Sequence, residues 1–146
     1  MNEIIEELVK QIAALEKRLE YLETVELLGG WTNYTATSTI TGWSGTPTAK
    51  IYYKKIGNLM LVMFRISGTS DSVDTSFTVP YAANNVGTLD QLNPCFATDD
   101  GTPTIGYGQI PDNTSAIIFA QTPAGTGGWT ASGTKNIIGQ LWYEIA

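Results

Sequence analysis

Thr48-Ala-Lys-Ile-Tyr-Tyr-Lys-Lys-Ile-Gly-Asn-Leu-Met-Leu-Val-Met-Phe-Arg-Ile66 reads as two strands folded on a turn. Thr48 to Lys55 and Leu59 to Ile66 flank Ile56-Gly57-Asn58, and Gly-Asn suits the tight turn of a hairpin. The second strand is apolar on both faces. Leu59, Leu61 and Met63 point one way, while Met60, Val62, Phe64 and Ile66 point the other. A solvent-facing sheet alternates with polar residues, so this strand is expected to be covered on both sides. In an oligomer the second cover could come from a neighbouring subunit.

Working outward, the chain from residue 31 to 146 is rich in threonine, glycine, serine and aromatics and poor in charge. Such a composition favours strands punctuated by turns. Further strands are expected at Trp31 to Thr37, Thr75 to Val79, Ile105 to Ile110, Ser115 to Gln121, Gly128 to Ser132 and Asn136 to Ile145. The last alternates cleanly, with Ile137, Leu141, Tyr143 and Ile145 on one face. Tyr81 to Thr104 has little pattern and carries Pro94, Pro103 and Asp99-Asp100-Gly101; it is read as loops with one short strand around Cys95-Phe96-Ala97. Short strands at this spacing predict a mainly β domain, a β-sandwich of jelly-roll type.

The other direction changes character at Gly29-Gly30. Ile5, Leu8, Ile12, Leu15, Leu19 and Leu22 recur at alternating spacings of three and four, the a/d pattern of a heptad repeat. Glu3, Glu6 and Glu7 suit the start of a helix, Glu23 and Glu26 oppose its dipole near the end, and the two glycines stop it. So short a helix is marginal alone in water and needs partners for its stripe. Isoleucine at a with leucine at d leans toward two chains. Ile4 and Val25 at g and Val9 at e widen the apolar face toward three. Arg18-Leu19-Glu20-Tyr21-Leu22-Glu23 also resembles the trimer-specifying pattern Arg-apolar-x-x-apolar-Glu, in which Arg18 would bond Glu23 of the next helix. The expected layout is a trimeric coiled coil over residues 1–28, a Gly29-Gly30 linker, and a β-domain over residues 31–146.

Bulk properties narrow the function. The chain has 146 residues, 42% of them hydrophobic, and a net charge of −6, with a pI near 4.4. That balance argues against nucleic acid and anionic membrane surfaces as partners. No apolar run approaches the roughly 20 residues that cross a bilayer, and the charged N-terminus lacks a signal-peptide pattern. Histidine is absent and Cys95 is the sole cysteine. A Ser-His-Asp or Cys-His arrangement is therefore impossible, and zinc lacks ligands. No enzyme activity, cofactor or metal is expected.

The hairpin Ile51-Tyr-Tyr-Lys-Lys-Ile-Gly-Asn-Leu59, continuing through Ile66-Ser-Gly-Thr69 to Phe77-Thr-Val-Pro-Tyr81, resembles the C-terminal domains of bacteriophage tail-fibre proteins. The closing Gly139-Gln-Leu-Trp-Tyr-Glu-Ile145 resembles their final strand. The resemblance spans most of residues 43 to 145 and implies a trimeric receptor-binding or host-adhesion module on the virion, without identifying the receptor. Glycine-flanked aromatic rings and the acidic charge make a neutral host-cell surface glycan the expected partner. Met1 opens directly on the heptads, without a shaft or tail-attachment region. That leaves either a small protein or the terminal fragment of a longer fibre.

Sugars stack on aromatic faces and hydrogen-bond to carboxylates. Trp43, Tyr107 and Trp129 sit among glycines, as in Gly42-Trp43-Ser44-Gly45 and Gly127-Gly128-Trp129, and are the candidate rings. Asp99 and Asp100 are the candidate carboxylates. Each ring could equally fill the core or a trimer seam, and Asp99-Asp100-Gly101 is ordinary turn chemistry. Two alternatives stay open beside the fibre tip: a structural virion decoration or spike without a ligand, and a cellular trimeric jelly-roll signalling ligand.

Overall fold

The computed structural model describes residues 2–25, 29–85, 91–122 and 128–145, with side chains described to residue 22 within the helix. Glu23's side chain, Glu26, Asp90 and Gly127 lie outside the described residues. The protein is mainly β with one N-terminal helix. It divides into two units, residues 1–30 and 31–146.

The first unit is helix α1, Asn2–Val25. It spans all six heptad residues, and Glu3 lies in the first turn, where the helix dipole favours a negative charge. In the single chain its apolar stripe is bare: Ile5, Leu8, Ile12, Leu15, Leu19 and Leu22 are each more than half exposed.

Among the described residues the second unit holds nine strands: β1 (Thr32–Asn33), β2 (Ile40–Thr41), β3 (Thr48–Ile56), β4 (Leu59–Thr69), β5 (Thr75–Thr78), β6 (Gln91–Asp99), β7 (Thr102–Ile110), β8 (Ala116–Ala120) and β9 (Thr134–Glu144). All pairings are antiparallel. They form one sheet in the order β1-β3-β4-β9-β6-β7-β8-β5-β2. Two turns follow local chemistry. Gly57 takes a φ of 57° between Ile56 and its partner Leu59, the demand of a II′ turn on its first position. Asp100 and Gly101 both take positive φ, 47° and 78°, as a I′ turn requires between Asp99 and Thr102.

The sheet has to curl. β1 and β2 lie at opposite edges, and eight strand spacings of a flat sheet would separate them by about 38 Å. Asn33 and Ile40 are seven residues apart, a reach of about 25 Å at full extension. The strands expected as two sheets of a jelly roll thus pair as one sheet curled into a half-barrel. Its concave side is the core. Phe64 on β4 meets Phe119 on β8 and Phe77 on β5, with ring centroids 5.1 and 5.3 Å apart, although these strands are several places apart in the sheet. Phe77 and Phe119 stack at 5.4 Å. Glycine makes room for the rings: a Cβ on Gly139 would lie 3.0 Å from Phe64 and 2.7 Å from the Cβ of Cys95.

Three sequence expectations need correction. Trp31 to Thr37 pairs only over Thr32–Asn33, because the Asn33 side chain accepts a bond from the Thr35 amide and turns the chain. Gly128 to Ser132 is no strand: Gly128 has a φ of 94°, and Trp129 turns into the core. The region around Cys95 is a full nine-residue strand, β6, hidden in the sequence by Pro94. That proline is tolerated because β6 pairs β9 only over Phe96–Asp99. Nearer the start of β6, side chains replace the ladder: Asn93 donates to the Trp142 carbonyl, and Gln91 accepts from the Glu144 amide.

The strand Leu59 to Ile66 is half as covered as expected. Met60, Val62, Phe64 and Ile66 are buried, while Leu61 and Met63 are half-buried and Leu59 is exposed. Among the described residues of the β-domain, its convex side is only partly covered. If the phenylalanine cluster holds the curl closed, Phe64→Ala should cost about 3–5 kcal/mol. Thr46→Ala, on an exposed loop, should stay within about 0.5 kcal/mol. Denaturant unfolding of both variants checks this contrast.

Candidate functional site

Three of the five candidate ligand residues, Trp43, Trp129 and Asp99, converge, but around a group the sequence reading overlooked. Lys135 is the second residue of β9, on the same side as Ile137, and period-two alternation therefore sends it inward. It is fully buried. Its Nζ donates to Thr75 Oγ1 at 2.6 Å and to the Ser72 carbonyl at 3.3 Å. It also lies over two indole rings, 4.7 Å from the centre of Trp43 and 5.7 Å from that of Trp129. Two indole faces and two oxygens offset part of what the ammonium loses on leaving water.

Each wall of this cage is fixed by a separate bond. Trp43 Nε1 donates to the Lys135 carbonyl at 3.4 Å, and Trp129 Nε1 donates to the Phe119 carbonyl at 2.8 Å. Asp99 accepts from the Thr130 amide at 3.0 Å and from Gln121 at 2.7 Å, which pins the segment that carries Trp129. Ser70 Oγ reaches the Thr130 carbonyl at 2.5 Å, tying that segment to the loop before β5. Asp100 sits in the β6–β7 turn, so close to Gly133 that a Cβ there would collide with its carboxylate.

Trp43 and Trp129 are 5% and 2% exposed. The expectation that they present rings to a sugar is therefore corrected: their faces hold an internal cation. Asp99 is likewise spent on protein donors, and Asp100 is a turn residue at the surface. Tyr107 stands apart, half-buried on the convex side of β7 opposite Pro94. Of the six heptad residues and Arg18 expected to mediate association, all are exposed on α1. Lys135, Thr75 and Ser70 were missed, although continuing the alternation of β9 by one step back from Asn136 would have found the lysine.

The chemistry of the cage is structural. Burial lowers the Lys135 pKa from 10.5 to about 8, against the opposing pull of Asp71 and Asp99. Burial pushes the Cys95 thiol up to about 12, away from thiolate reactivity, and Tyr143 is also shifted upward by burial while its hydroxyl donates to the Tyr81 carbonyl. Among the described residues no group of three or more metal-ligating side chains lies together, and no helix is long and apolar enough to cross a membrane. Comparison with protein families, curated proteins and solved structures gives no match.

A lowered lysine pKa means that the unfolded chain binds the proton more tightly than the folded one. The stability contributed by neutral Lys135 is thus complete above pH 10.5 and lost as pH falls through about 8. Cys95 and Tyr143 act oppositely, beginning near their ordinary values of 9.0 and 10.0. Subtracting a Lys135→Met variant isolates the lysine. The stability of wild type relative to that variant should rise between pH 8 and pH 10, measured by denaturant unfolding at a series of pH values. A flat difference would mean that the amine is not desolvated.

Proposed function

We propose that this chain is a homotrimeric attachment module of the phage tail-fibre type, carried on the virion and directed to a host-cell surface glycan. The observation that carries the reading is the bare apolar stripe of α1. A lone helix with leucine and isoleucine exposed every third or fourth residue gains stability only by packing on copies of itself. In that assembly α1 forms a parallel three-stranded coil. The curled sheet, with its halves packed face to face on the phenylalanine cluster, serves as the jelly-roll-like tip. Three copies of one weak site give firm attachment through avidity. The resemblance to fibre domains supports attachment, and the acidic chain, which disfavours nucleic acid and anionic polymers, favours a neutral glycan; membrane insertion is not part of the reading.

One observation favours the second reading, a virion decoration without a ligand: both glycine-flanked tryptophans are occupied by Lys135. Tyr107 is the remaining candidate ring. Light scattering of the full chain should give three times the 15.8 kDa chain mass. A one-chain or two-chain mass would overturn the trimer. A glycan array then separates the readings: binding weakened by Tyr107→Ala supports attachment, and a trimer silent on every glycan supports decoration.

A further inference from the structure

The convex face of the curled sheet is not uniform. From β4 to β7 it carries a continuous apolar band: Met63, Trp142, Ile138, Phe96 and Ile105. Register makes the band contiguous, since Phe96 stands opposite Ile138 on one side and Ile105 on the other. Trp142, Ile105 and Phe96 are 59%, 58% and 52% exposed. Beyond β7 the same face turns small and polar, with Ala116, Ser76, Thr78 and Thr41 around a half-buried Ile118. Scattered apolar residues on a surface need no explanation, but a band across four strands that stops at a strand boundary does.

We propose that this band is the seam through which the β-domain packs on a second copy of itself. The proposal rests on the reading that copies associate through α1, and it names a second, separate surface for that association. Two features of the chain select a copy as the occupant. The first is proximity: six residues separate α1 from β1, so helices joined in parallel hold their β-domains at a local concentration of about millimolar. The second is charge. Every exposed lysine and arginine of the β-domain lies on the β3–β4 hairpin, where Lys50 and Arg65 stand directly opposite each other at the rim of the band. Like charges so placed repel unless a partner intervenes. The domain's acidic residues, among them Asp71, Asp74, Asp100 and Glu144, lie off this hairpin, so a neighbouring copy offers the complement. A shallow groove lined by Lys50, Tyr52, Met63, Arg65, Ile138 and Gln140 adjoins the same rim. A head-to-tail contact between basic hairpin and acidic flank is the kind that closes into a ring.

Thiol labelling of the full chain tests the seam. Gln140→Cys places a probe within the band at an exposed polar position, and Thr41→Cys places a control on the polar half of the same face. Cys95 is buried and adds little background. Gln140→Cys should react with a maleimide about tenfold or more slowly than Thr41→Cys, a factor that needs only modest closure energy. Adding Phe96→Glu should abolish that protection. Light scattering on the same samples keeps the two readings apart. Equal labelling rates on a sample of three-chain mass would overturn the seam and leave the coil standing. A one-chain mass with fast labelling would remove the coil and the seam with it. A one-chain mass with slow labelling would also sink the proposal, because the cover would then come from the same chain.

Discussion

Packing of Phe64 against Phe77 and Phe119 across the concave side of the sheet is the contact on which the β-domain depends. Nine strands joined edge to edge bury little unless their inner faces meet. The short connection from Asn33 to Ile40, spanning from one edge of the sheet to the other, requires the same closure that the aromatic cluster rewards. Topology and hydrophobic burial thus act in one direction, which is what gives a chain a single well-separated native state. The glycines at 108 and 139 belong to the same solution, because a Cβ at either would press on a core phenylalanine at 3.0 Å.

Lys135 is the exception within that interior. A buried ammonium is costly, and its retention depends on how fully its surroundings replace water. Here two indoles, a threonine hydroxyl and a backbone carbonyl surround it. These groups come from four places in the chain: the loop before β3, the loop before β5, β5 itself and the segment before β9. The lysine therefore adds to the backbone bonds that already link these segments, among them the bridge between Trp43 and Ser70. The same placement explains why tryptophans in glycine-rich surroundings are internal: the glycines let the chain bring a large ring inward.

Outside the core, two apolar surfaces stand bare among the described residues, the heptad stripe of α1 and the convex band from β4 to β7. They differ in kind. The stripe is a linear seam whose geometry follows from helix periodicity alone. The band is assembled from strands whose sequence positions run from Met63 to Trp142, and no local pattern announces it. Only part of it was visible in advance, as the two-sided apolar run Leu59 to Ile66. The charge distribution of the β-domain follows the same division, with basic residues gathered on one hairpin and acidic residues elsewhere.

The sequence by itself determined the features governed by near neighbours. Helix α1 followed from spacings of three and four. The β3–β4 hairpin followed from Gly57-Asn58, and the inward face of β9 from its alternation. These depend on backbone sterics and side-chain period, which act over a few residues. The length of β6 was not legible, because Pro94 disguises a strand whose lost ladder bonds are replaced by Asn93 and Gln91 reaching across to β9. Nor was the candidate site legible as a site. Trp43, Trp129, Asp99 and Asp100 were singled out from their local surroundings, and those surroundings fit an exposed loop and a buried wall equally well. Strand order decided between them. By placing β9 between β4 and β6, it set Lys135 opposite both Gly68 and Asp99 and beneath two indoles distant in sequence. Which surface faces water is a property of the folded sheet, and non-local pairing alone decided it.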